Sequence, residues 1–206
     1  LKNSQYTKLE TTCYAPTIMG PFHYLPFLEC NHAIISLRHH ITGSLKVNNQ
    51  KFQIIGDGYI EKDWGRSFPQ DYLWLQSNSC KEEEASLFLS IAKIPLLACS
   101  FQGLIMNLLV DDQQIRVATY YGARVKDMFT REGYHYLIIS QHPHTFYLKI
   151  KAGHRFELKS PQSGKMNGYV EESLNALAVL LVYKKNKKVA KFNFINCGFE
   201  LFGNWL

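Results

Sequence analysis

Glu61 and Asp63 stand two residues apart in the segment Gly58-Tyr59-Ile60-Glu61-Lys62-Asp63-Trp64-Gly65-Arg66-Ser67-Phe68-Pro69. Side chains alternate along an extended strand, so Tyr59, Glu61 and Asp63 share one face while Ile60, Lys62 and Trp64 share the other. Two carboxylates on one face repel each other. If that face is buried, one of them keeps its proton near neutral pH and is equipped to act as a general acid. On an exposed strand the same pair would instead neutralise Lys62 or Arg66 and do no chemistry.

A second alternating segment follows, Tyr72-Leu73-Trp74-Leu75-Gln76-Ser77-Asn78. Leu73 and Leu75 form an apolar packing face. Tyr72, Trp74, Gln76 and Asn78 form an opposite face in which aromatics mix with amides. Such a face suits a ligand-lining wall with a few orienting polar groups, or an outward face covered by another layer. Upstream, Glu29, His32, His39 and His40 offer metal-ligating atoms, but strand alternation places His32 with Ser36 and Arg38, and Glu29 with His39 on the other side. No metal site is therefore expected, and histidines hydrogen-bonded within a polar β network are the default. The sequence contains no GxSxG nucleophile elbow, no glycine-rich phosphate loop and no dinucleotide fingerprint.

The elements that must position these residues are strands. Short alternating runs broken by turn signals predict Ala33–His40, Phe52–Gly56, Tyr59–Trp64, Tyr72–Ser77, Leu87–Ala92, Phe101–Leu109, Ile115–Tyr120, Tyr134–Ser140, Phe146–Lys151, Phe156–Lys159, Leu177–Tyr183 and Val189–Phe194. Asn48-Asn49, Asp111-Asp112, Ala152-Gly153 and Lys185-Asn186 supply turn chemistry between them. Only Lys81–Leu89 and Glu171–Leu180 have reasonable helical propensity, and both read equally well as strand. The expected fold is mainly β, an antiparallel barrel or sandwich with few helices. The polar break at Lys81-Glu82-Glu83-Glu84 marks a subdivision into 1–80 and 81–206, or simply a loop.

Composition narrows the function classes. The 206 residues are 46% hydrophobic and 19% charged, as in a folded globular chain. Thirteen Phe and twelve Tyr suit strands and an apolar cavity. The net charge of +6 is partly concentrated in Lys184–Lys191, which reads as a solvated turn. Basic residues are not interleaved with aromatics along a face, so nucleic acid is not an expected partner. Peripheral contact with an anionic membrane surface is a better match, because an apolar ligand would arrive from there. The five cysteines are scattered without CxxC spacing, several within apolar strands, which favours reduced thiols and a cytoplasmic setting.

The motifs themselves resemble a known family. Met19-Gly20-Pro21-Phe22, Pro26-Phe27-Leu28-Glu29-Cys30 with His32, Ser36, His39 and Gly43, the Gly58–Gly65 block with Ser67-Phe68-Pro69, and Trp74, Gln76 and Asn78 together resemble the tocopherol cyclase-like family. The resemblance continues through Ser90-Ile91-Ala92, Ile94-Pro95, Ala118-Thr119-Tyr120, Ser160-Pro161, Gly164-Lys165-Met166, Glu172-Ser173-Leu174 and Gly198-Phe199-Glu200. Leu28 stands where the family usually shows Met, and Asn31 where an aromatic is common. Neither change removes a candidate acid. Family members carry further sequence before Met19, so the chain is expected to be a fragment, with 1–80 closing part of a first barrel and 81–206 forming a second.

The resemblance implies a lipocalin-like (calycin-type) barrel or paired barrels and cofactor-free chemistry on a prenylquinol. A prenyl double bond is protonated and the ring hydroxyl closes on the cation to give a chromanol. Within these shared motifs Asp63 or Glu61 is the expected proton donor, with Glu29 third, and His32 or His39 the group that orients the acid or accepts the phenolic proton. Trp64, Tyr72 and Trp74 would face the transient cation. Tyr59, Phe68, Gln76 and Asn78 complete the expected substrate wall. A non-catalytic carrier of an isoprenoid or other lipid in the same barrel is the competing expectation.

Overall fold

Asn48-Asn49, Asp111-Asp112 and Lys185-Asn186 all adopt positive φ, between 46° and 66°. Paired left-handed residues of this kind match the twist of flanking strands and close tight hairpins. They join β2 (Cys30–Val47) to β3 (Gln50–Gly65), β7 (Cys99–Val110) to β8 (Gln113–Ala118), and β13 (Lys165–Lys184) to β14 (Lys187–Phe202). The computed structural model describes residues 1–26, 28–96 and 99–204; Phe27 of the Pro26–Cys30 motif lies outside the described residues. The other strands are β1 (Lys2–Asn3), β4 (Tyr72–Ser77), β5 (Ser79–Cys80), β6 (Ala85–Leu96), β9 (Arg124–Arg131), β10 (Tyr134–Gln141), β11 (His144–Lys151) and β12 (Arg155–Gln162). Short 3₁₀ turns at Gly20–Tyr24 and Thr119–Tyr121 are the only helical elements among the described residues. None is long and apolar enough to cross a membrane. Both segments with helical propensity are strand where they are regular, in β6 and β13.

All the described ladders are antiparallel and fall into two sheets. A small sheet has the order β1-β2-β3; a large one runs β8-β7-β6-β4-β14-β13-β11-β10-β9, with β5 on β14 and β12 on β13. The change of sheet falls between Gly65 and Tyr72, and Lys81–Glu84 is a loop between two strands of the large sheet. Ala152-Gly153 is not a hairpin. β11 pairs with Leu177–Lys184 and β12 with Lys165–Ser173, so both lie along the one long β13.

The large sheet curls around its own core. Leu73, Leu75, Leu89, Leu104, Met106, Leu137, Phe146, Leu180 and Phe199 are all buried within it. The expected barrel is not closed by a ladder, however, since β8 and β9 end the sheet unjoined. The chain leaves β8 through the Thr119–Tyr121 turn and Gly122 at φ 84° rather than a hairpin turn, which directs β9 away from β8. The Gln141 side chain on β10 bridges the gap. Its Oε1 accepts from the Ala118 N–H at 3.0 Å and its Nε2 donates to the Arg116 carbonyl at 3.0 Å.

The outer face of β4, β6 and β7 packs against the small sheet. Ile34 and Leu37 of β2, with Leu9 and Ile18, meet Phe88 and Leu109. The functional region lies at this junction between sheets, not inside the large sheet's filled core.

Candidate functional site

β3 presents Tyr59, Glu61 and Asp63 toward the junction and carries Lys62 and Trp64 on the other face, as strand alternation requires. Across the ladder His32 is the partner of Asp63, and Ile34 of Glu61. This register places the His32 ring between the two acids. Its Nδ1 makes a short contact with Asp63 Oδ1, and its Nε2 lies 3.5 Å from Glu61 Oε2. The second contact is a charge contact without hydrogen-bond geometry, so the buried Nε2 has no hydrogen-bond partner. Phe88 holds the ring from below, stacked at 4.9 Å and 17°.

Glu61 Oε2 also accepts from the Tyr59 hydroxyl at 2.6 Å and from the Trp74 indole N–H at 3.3 Å. Burial raises the Glu61 pKa above the ordinary carboxylate value, with Asp63 adding to it, against the opposing pull of His32 and of the Tyr59 and Trp74 donors. For His32 burial favours the neutral ring, but the hydrogen bond and charge of Asp63 and the charge of Glu61 outweigh it and raise its pKa. The Tyr59 hydroxyl is raised by burial and by Glu61, so it stays a donor. Glu61, through burial, and His32, through its acidic neighbours, thus both bind a proton more tightly than their free side chains do. One atom from each of His32, Glu61 and Asp63 lies within 4.8 Å of the others, a donor set that a divalent cation would also accept.

These residues border a cavity of about 220 Å³ between the sheets. Its floor is a row of register partners: Glu172 on β13, Glu200 on β14, Trp74 on β4, Ser90 on β6 and Ile105 on β7. Met19, Phe22, Phe68, Tyr72 and Phe101 contribute apolar walls. A cavity of about 150 Å³ holds benzene, so this one has room for a substituted ring.

Several expected site residues lie elsewhere. Bulges in β2 between Ile34 and Ser36 and between Ser36 and His39 break its alternation. His39 therefore lies on the same side as Ser36, whose hydroxyl meets its Nδ1 at 2.9 Å, and its ring lies 4.8 Å from that of Tyr6, tilted by 57°. It pairs with Gly58, five residues along β3 from Asp63 or about 17 Å, and does not reach the cavity. Trp64 points away under Lys62, whose Nζ sits 5.6 Å from the ring. Gln76 and Asn78 brace the wall instead of lining it: Gln76 donates to Asn78 at 2.9 Å, and Asn78 donates to the Gly58 carbonyl at 2.8 Å. Glu29 borders the cavity as an exposed residue, and its carbonyl accepts from the Arg66 N–H at 2.7 Å.

Glu172, Glu200, Phe88 and Met19 are site residues to which the sequence reading assigned no role. Glu200 carried a signal, as a lone carboxylate within Gly198-Phe199-Glu200-Leu201-Phe202, where an unpaired charge is costly. Its Oε2 accepts from the Tyr72 hydroxyl at 2.5 Å.

Residues 7–94 match the family described as Tocopherol cyclase-like, a span that includes His32, Glu61, Asp63, Tyr72 and Trp74. Among solved structures the chain is similar to CghA with Sch210972, at TM-score 0.53 and 6% identity over 85% of this chain and 55% of that one. It is also similar to kievitone hydratase from Nectria haematococca, at TM-score 0.41 and 12% identity over 81% of this chain and 53% of that one. The chain thus spans about half the length of both structures. At 6% identity the likeness to CghA is one of fold. No curated protein matches the sequence.

Proposed function

We propose that the protein, whose residues 7–94 match the tocopherol cyclase-like family, is a cofactor-independent acid catalyst that cyclises a prenylated quinol to a chromanol. The observation that carries this reading is the Glu61 carboxyl, which gathers Tyr59, Trp74 and His32 on one oxygen at the wall of an apolar cavity. Donors on Oε2 favour charge there, so the transferable proton is carried on Oε1. Protonation of the prenyl alkene creates a tertiary cation. The Trp74 and Tyr72 rings offer their negative faces to it. The apolar walls keep water from competing with the ring hydroxyl. The His32–Asp63 pair then resupplies the proton to Glu61.

A carrier would use the same apolar walls. It would gain nothing from a desolvated carboxyl held beside a charged imidazole, which costs stability. Turnover of 2-geranylhydroquinone separates the two. Cyclisation gives a product of unchanged mass in H₂O and one with a single carbon-bound deuterium in D₂O. Glu61→Gln is expected to lower the rate by about 100-fold or more. Full activity in both Glu61→Gln and Asp63→Asn would remove the acid assignment. Retention of the unchanged quinol in native mass spectrometry, without product, would identify a carrier.

A further inference from the structure

We propose that Glu200, set by Tyr72, is the base that receives the ring-hydroxyl proton, on the wall opposite the Glu61–His32–Asp63 acid. The inference rests on the acid-initiated reading above and assigns the second half of the reaction.

The cavity has two carboxyl centres, and Trp74 stands between them. On one side its indole N–H donates to Glu61. On the other, Glu200 is its direct partner across the β4–β14 ladder. Glu200 and Tyr72 both border the cavity, and the buried Tyr72 hydroxyl donates to Glu200 Oε2 at 2.5 Å. Two carboxyl centres kept distinct in one cavity fit an acid and a base. The acid side has a histidine to hold a proton; the Glu200 side has a tyrosine donor that stabilises the carboxylate.

The groups facing Glu200 are Tyr72 on β4, its cross-strand neighbour Glu172 on β13, and Glu61 and Asp63 on β3. Burial raises its pKa to about 7, the Tyr72 hydrogen bond opposing and the three carboxylates adding. Cys30, also at the cavity, has a thiol pushed up to about 12 by burial and stays neutral. A carboxyl in this range is ionised near neutrality yet basic enough to accept a proton.

The step balances without a further reagent. Glu61 gives a proton to one alkene carbon, forming a C–H bond and leaving a cation. The ring oxygen forms a C–O bond to that cation while its O–H bond breaks, and the proton passes to Glu200. Substrate and product are isomers. The acid ends one proton short and Glu200 one proton rich, and solvent resets both when the product leaves.

The test uses the full chain with 2-geranylhydroquinone in D₂O. Without the base, a protonated alkene can only return its proton. Glu200→Gln is therefore expected to lose cyclisation by about 100-fold or more while deuterium still enters the recovered alkene. The kcat/KM of the wild type should fall on the acid side of about pH 7, following Glu200. Tyr72→Phe removes the donor that lowers this pKa, so the same limb should move to higher pH, a shift that a packing defect would not produce. Wild-type cyclisation in Glu200→Gln, or an unmoved limb in Tyr72→Phe, would overturn the assignment. A wild type that yields neither product nor deuterated alkene would overturn the acid-initiated reading itself, and this proposal with it.

Discussion

The Trp74 indole lies directly over Gly198, close enough that a Cβ on that glycine would stand 2.7 Å from the ring. The glycine therefore sets how deep the indole sits, and with it the reach of the indole N–H to Glu61. Gly198 is buried in β14, two residues from Glu200 on the same face. A side chain there must push the ring into the cavity or distort the β4–β14 ladder. Gly198→Ala is expected to cost about 1–3 kcal/mol in thermal or urea unfolding. It should also lower turnover by on the order of tenfold or more through the misplaced indole. Wild-type activity with unchanged tryptophan fluorescence would show that the ring does not need this depth.

How far such contacts were legible in the sequence depends on whether they run along a strand or between strands. The same-face grouping of Tyr59, Glu61 and Asp63 follows from alternation alone, as does the division of Leu73 and Leu75 from Tyr72 and Trp74. The turns at Asn48-Asn49, Asp111-Asp112 and Lys185-Asn186 were equally readable, because each contains Asn or Asp, which tolerate positive φ. His39 was misplaced because two bulges in β2 reset the alternation, and bulges leave little local trace. Strand Arg124–Arg131 leaves no alternating signal in the sequence because this edge strand is charged and exposed, Val125 and Met128 being its only inward residues. Glu172 and Glu200 meet the site through ladder register, which no single segment encodes.

His32 makes a stability prediction whose sign is fixed by its raised pKa. The folded ring binds its proton more tightly than the unfolded ring, whose value is 6.5. The stabilisation from its pairing is thus fully present below that value and fades as pH rises through the higher folded value. His32→Gln should be less stable than the wild type by about 1–3 kcal/mol on the acid side, with the gap closing toward alkaline pH. Urea unfolding at a series of pH values measures this. A gap that widens with pH would mean that the ring is neutral in the fold.

Gln141 is expected to act as the closure of the large sheet. Its amide satisfies the N–H of buried Ala118 and the carbonyl of Arg116 where no ladder is formed. Gln141→Ala strands a buried donor, so the loss should be about 1–3 kcal/mol. Amide exchange should quicken at Arg116–Gly122 and across β10 before it does in β13. Uniform exchange would place closure elsewhere.

Glu200 should oppose folding under the conditions in which it acts as a base. Its folded pKa of about 7 lies above the ordinary carboxylate value of 4.5, so the folded state holds a proton that the unfolded state has released between those values. Stability therefore falls as pH rises through that window, and above it the buried charge costs on the order of 1 kcal/mol or more. A glutamine carbonyl still accepts from the Tyr72 hydroxyl but carries no charge. Glu200→Gln is accordingly expected to melt above the wild type at pH 8–9 and level with it near pH 4. This is the trade of stability for function that a desolvated catalytic carboxylate makes. Calorimetric scans at the two pH values check it, and a variant less stable than the wild type at both would mean that Glu200 is held as an ordinary structural acid.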